Sequence, residues 1–136
     1  MMKLLNLPKN IRGAMKVSTG VKLPPAVQER LLRLQQLQQT LQNVLAQKQQ
    51  VELELLEVDK ALEELEKTPD DGVIYKSVGS LLIRTEKSKI TEELKERKEI
   101  ANMRVSVLGK QEERLRSQIK ELNERLQRDL RPLSSQ

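Results

Sequence analysis

The chain has 136 residues, with 25 Lys or Arg against 20 Asp or Glu, no His, Cys, Trp or Phe, and a single Tyr. That set cannot build a disulfide framework, a Cys nucleophile, a Ser-His-Asp triad or a thiolate–imidazole metal site, and one aromatic is too few to stack single-stranded nucleic acid. With 33% charged and 37% hydrophobic residues, the composition suits long helices better than a compact core.

The net charge of +5 is a property of the first 25 residues, which hold Lys3, Lys9, Arg12, Lys16 and Lys22 and no acid. The rest of the chain is balanced, so the basic character belongs to a tail and not to a body built to hold DNA. Residues 1–22 are expected to be a disordered basic extension, with Met15 as an alternative start. The tail lacks the aromatic interleaving of a nucleic-acid binder, and no apolar run reaches the length of a membrane span. Neither nucleic acid nor membrane is expected as a partner.

Pro24 and Pro25 open a segment, about 25–67, that is free of Pro and Gly beyond its first residue. With Val27 at heptad position a, the a row is Val27, Leu34, Leu41, Lys48, Leu55 and Leu62. The d row is Arg30, Leu37, Val44, Val51, Val58 and Leu65. Ten of these twelve are apolar, a sustained coiled-coil signal. Lys48 reads most simply as a stem packed on the seam with its ammonium in water. Thr68, placed before Pro69, is biased out of helix and closes the segment.

From Val73 to Ile83 the sequence runs Val-Ile-Tyr-Lys-Ser-Val-Gly-Ser-Leu-Leu-Ile, seven of eleven residues apolar. Gly79-Ser80 supplies a two-residue turn, so a β-hairpin is expected over about 73–85. An isolated hairpin with apolar residues on both faces and unpaired edges is marginal in water. Hairpins from several chains, paired into a larger sheet or barrel, would remove both liabilities. Oligomerisation is therefore assigned to Val73, Ile74, Tyr75, Val78, Gly79, Leu81, Leu82 and Ile83. Gly72, Lys76 and Ser77 lack the second Gly of a phosphate-binding loop. Lys76 reads as a solvated strand residue.

A second helix is expected over about 88–131, ended by Pro132. Its apolar row is Leu94, Ala101, Val105, Leu108, Leu115, Ile119, Leu122 and Leu126, interrupted at Lys98 and Glu112. Gly109 costs about 1 kcal/mol relative to Ala in mid-helix. The two helices have similar lengths, about 63–66 Å at 1.5 Å per residue, and a short connection. They should form one antiparallel coiled coil, with Val27 near Leu126 and Leu65 near Ile90 or Leu94. Acidic pairs such as Glu63-Glu64 and Glu92-Glu93 read as solvated faces. No cofactor, metal or catalytic role is expected.

The pattern from Val73 to Ile83 closely resembles the hairpin of archaeal prefoldin beta subunits. Thr68-Pro69-Asp70-Asp71-Gly72, Leu23-Pro24-Pro25-Ala26-Val27-Gln28 and Leu108-Gly109-Lys110-Gln111-Glu112-Glu113-Arg114-Leu115 fit the same family. The basic tail and Gly109 depart from it. The resemblance implies a cytoplasmic, ATP-independent chaperone of two alpha and four beta subunits. Its hairpins form a double β-barrel platform, and its coiled-coil tips hold unfolded polypeptides and pass them to a group II chaperonin. On that basis residues 23–136 form one domain, mainly α. Client holding is assigned to Val27, Leu31, Leu32, Leu34, Leu122, Leu126, Leu130 and Leu133, exposed where helix ends fray. The alternative is a structural, filament-forming coiled coil that transfers no client.

Overall fold

The computed structural model describes residues 23–134, with side chains as far as Arg131. The basic extension expected over 1–22 lies outside the described residues. Helix α1 spans Pro25–Lys67, strand β1 Ile74–Val78, strand β2 Leu81–Thr85, and helix α2 Lys87–Ser134.

Local chemistry fixes each boundary. The Pro24 carbonyl accepts from the amides of Val27 and Gln28 at 3.0 and 3.1 Å, and the Gln28 side-chain amide donates to the Leu23 carbonyl. Pro25 therefore sits at the first helical position, where its missing N–H costs nothing. At the far end the Thr68 hydroxyl donates to the Glu64 carbonyl at 2.8 Å, closing the last turn before Pro69. Gly72 then donates to the Pro69 carbonyl at 2.9 Å. A Cβ on Gly72 would lie 2.8 Å from the Thr68 methyl, so this tight turn has room only for glycine. Gly79 has φ 58°, whereas no other described residue has positive φ. Glycine first and an ordinary residue second is the chemistry of a type II′ hairpin turn, which matches strand twist.

Helix α2 runs without interruption through Gly109 and past Pro132 to Ser134. Pro132 was expected to stop it. A proline removes one amide donor, and so close to the end of a helix that loss does not displace the backbone.

The chain divides into two compact units, one formed by the early part of α1 with the late part of α2, the other by residues 46–109. In the first, Val27, Leu31, Leu34, Leu126 and Leu130 form a buried cluster, joined by Leu23, Ile119 and Leu122. In the second, Val58, Leu65 and Leu94 are buried together, with Ala61, Leu62, Ile74 and Ile90 against them. Both clusters pair α1 with α2 in antiparallel order, as the heptads require. The d row is buried from Leu37 through Val44, Val51 and Val58 to Leu65, while Leu41, Lys48, Leu55 and Leu62 of the a row are half-buried.

One heptad position differs from expectation. Arg30, at d, is half-buried and forms an ion pair with Asp129, while Leu31, outside the a and d rows, is buried. Leu31 lies four residues after Val27 and three before Leu34, on the helix face those two share, and packs in their cluster. The interruption at Lys98 also has a physical account. Its ammonium lies 2.7 Å from Asp59, and Arg97 lies 3.5 Å from Glu54, so charge continues the seam where apolar residues stop.

Candidate assembly and client-binding surfaces

The hairpin register pairs Ile74 with Thr85, Tyr75 with Arg84, Lys76 with Ile83, Ser77 with Leu82 and Val78 with Leu81. Side chains alternate across a strand. Ile74, Lys76, Val78, Leu81, Ile83 and Thr85 therefore share one face, and Tyr75, Ser77, Leu82 and Arg84 the other. Ile74 sits at the base of the first face and packs on the Val58–Leu65–Leu94 cluster. Farther out on that face Val78, Leu81 and Ile83 remain 46–64% exposed. On the opposite face Tyr75 is 59% and Leu82 72% exposed, and Val73, just before the strand, is also exposed. Of the eight hairpin positions singled out, Ile74 alone turns inward. Gly79 makes the turn, and the other six offer apolar surface.

Sequence reasoning passed over the polar fastenings of this hairpin. Lys76 reaches from mid-strand to Glu93 of α2 at 2.8 Å. The hydrogen bond from Lys76 holds the Glu93 carboxyl below the usual glutamate range, and the charges of Lys76, Lys89 and Arg97 act in the same direction. At the start of α2 the Lys87 ammonium donates to the Thr68 carbonyl at 2.7 Å and lies 3.3 Å from Asp70. It thereby ties the end of α1 to the start of α2. The one signal available in the sequence was the period-two pattern, which puts Lys76 on the same face as Ile74.

The residues assigned to client holding come together, but not as exposed surface. Val27, Leu31, Leu34, Leu126 and Leu130 are each 8% exposed or less, and Leu122 is half-buried against them. Leu32 alone stands out, at 56% exposed. The side chain of Leu133 lies outside the described residues. The expectation of fraying overlooked what antiparallel pairing supplies: the last turns of each helix cover the first turns of the other. Behind this cluster Gln38 is 6% exposed, and neither its amide nitrogen nor its oxygen has a partner among the described residues.

Another feature missed is a stripe on the outer side of α2. Ile100, Met103 and Val107 are 55–68% exposed, and their spacing of three and four is itself a helical stripe off the seam. No group of acidic residues that could hold a metal ion occurs among the described residues, and no described helix is long and apolar enough to cross a membrane.

Comparison with known proteins agrees with this architecture. The family model described as prefoldin subunit matches residues 28–131. The prefoldin subunit beta of Thermococcus onnurineus is 49% identical over 110 residues, covering 81% of this chain and 95% of that protein. That of Methanothrix thermoacetophila is 46% identical, covering 79% and 90%. The crystal structure of the prefoldin beta subunit from Thermococcus strain KS-1 superposes with a TM-score of 0.74 at 48% identity, covering 82% of this chain and 97% of that one. The paired helices, the hairpin with its exposed apolar faces and these likenesses converge: the chain belongs to the prefoldin subunit family.

Proposed function

We propose that this chain is one subunit of an ATP-independent holdase chaperone. It has no enzymatic role and needs no cofactor. Its hairpin pairs with those of an alpha-type subunit and of further copies of itself, in a hexamer of two alpha and four beta subunits. The ends of its helix pairs capture unfolded polypeptides in the cytoplasm and release them to a group II chaperonin.

The observation that carries the reading is the apolar cluster at the ends of both helices. An unfolded client offers scattered apolar side chains, and its captor must offer apolar surface without fixed geometry. Val27, Leu31, Leu34, Leu126 and Leu130 supply it once the terminal turns separate. Terminal turns lack intrahelical partners for several backbone groups and open at low cost. Gln38, buried just behind the cluster, puts an amide in the seam where an apolar side chain would otherwise pack, so the seam is weaker at that point. Each leucine would contribute about 1–2 kcal/mol on partial burial by a client. One arm then binds weakly, and several arms on one platform bind through raised effective concentration. That combination suits capture and release without ATP.

The chain contains no Cys, which permits a direct test. Val27→Cys and Leu130→Cys, oxidised, would staple the helix ends shut. The stapled oligomer should lose its suppression of aggregation of a denatured test protein and regain it on reduction. Undiminished suppression with the staple closed would place client holding elsewhere, and no suppression even by the unaltered oligomer would leave the chain a purely structural coiled coil.

A further inference from the structure

We propose that Lys76 and Glu93 form the latch that sets the tilt of the hairpin on α2 and holds its edges ready for strand pairing. The inference rests on the reading of the hairpin as the assembly surface, and it names positioning residues for that assembly.

The hairpin is attached to the helices by very little. Two short connections, 68–73 and Glu86, lead into and out of it. Ile74, at its base, is its apolar contact with the helical core. Beyond Ile74 the face that it shares with Val78, Leu81 and Ile83 stays exposed. A ribbon held at its base is free to rock about that base. Lys76 lies one inward-facing position farther out, opposite Ile83 in the register. Its ammonium meets Glu93 at 2.8 Å, about one helical turn beyond Ile90, which packs in the same cluster as Ile74. Ile74 and Lys76 thus give two points of attachment at different distances from the turn. Two points fix an angle where one does not.

The Lys87 clasp to Thr68 and Asp70 fixes the base from which that angle is measured. The exposed faces themselves contain the groups that would pair with other chains, so no contact there can fix the hairpin before assembly. Order imposed in advance lowers the cost of association. Loss of the latch should therefore weaken assembly and leave the helices intact.

The pair is partly exposed, with side chains at 41% and 43%, so each interface should change modestly, about 2–5-fold in dissociation constant. A platform made from several hairpins compounds that factor. The test is the concentration midpoint of assembly with an alpha-type partner at low and high salt, with helicity followed by circular dichroism. Lys76→Met and Glu93→Gln should both shift the midpoint upward at low salt with unchanged helicity. Both should assemble with a smaller salt dependence than the unaltered chain. The exchanged pair, Lys76→Glu with Glu93→Lys, should recover much of the low-salt affinity, which a merely structural role for either side chain would not give. Leu82→Asp serves as the control on the assembly surface. If it abolishes assembly while Lys76→Met and Glu93→Gln assemble at the original midpoint, the latch is wrong and the hairpin reading stands. If Leu82→Asp itself assembles normally, the hairpin reading fails and the latch fails with it.

Discussion

The cluster at the helix ends and the hairpin are both rich in large apolar side chains, yet they end up in opposite states. Leu34 and Leu126 are 0% exposed, whereas Leu82 is 72% exposed. The difference lies in what each element can find within its own chain. A helix carries its apolar residues on one stripe, and an antiparallel partner covers a stripe completely. A two-stranded hairpin has two faces and two edges, and one pair of helices can cover only the base of one face. The seam between the helices is therefore satisfied within the chain, while the hairpin keeps surface that only another chain can cover.

Four tests bear on that contrast. The largest effect is expected in the seam: Leu34→Ala or Leu126→Ala should cost about 2–5 kcal/mol, visible as a lower midpoint in thermal or urea unfolding. On the hairpin the same chemistry should split by face. Ile74→Ala, which removes a contact with the Val58 cluster, should cost about 1–3 kcal/mol in the unassembled chain. Leu82→Ala should change it by less than about 0.5 kcal/mol. Equal losses at the two positions would mean that the hairpin is buried within its own chain after all.

Gln38→Leu should raise stability by about 1–2 kcal/mol, because it replaces a buried, unpartnered amide with a side chain that needs no partner. If the account of client capture holds, the same variant should hold clients less well. The smallest effect concerns pH. Glu93 has a folded-state pKa below its unfolded value, so its contribution is present above the unfolded value and is lost as pH falls through the lowered folded value. The contact with Lys76 should survive mild acid and disappear only below the ordinary glutamate range. Titration of the Glu93 side-chain carboxyl by NMR would check it, and Lys76→Met should move that titration upward.

Much of this was legible in the sequence. The d row from Leu37 to Leu65 announced the seam, and the antiparallel pairing of Val27 with Leu126 followed from the matched helix lengths. Gly79-Ser80 between two apolar runs announced the hairpin and its turn. What escaped is instructive in physical terms. Leu31 falls outside the a and d rows, yet it joins the seam because it lies one turn from both Val27 and Leu34. The leucines at the helix ends were expected to be exposed because fraying was weighed without the cover that an antiparallel neighbour provides. Lys76 looked like a solvated strand residue because its partner, Glu93, is 17 positions away and no local pattern links them. Ile100, Met103 and Val107 were overlooked because attention to one stripe of α2 hid a second.

The claim that the hairpin is left for other chains to cover has one direct measurement. Light scattering should compare the mass of the unaltered chain with that of Leu82→Asp, each with and without an alpha-type partner, alongside circular dichroism. A large complex is expected for the unaltered chain and small species for the variant, with the same helicity in both. A complex of undiminished mass in Leu82→Asp would contradict that claim.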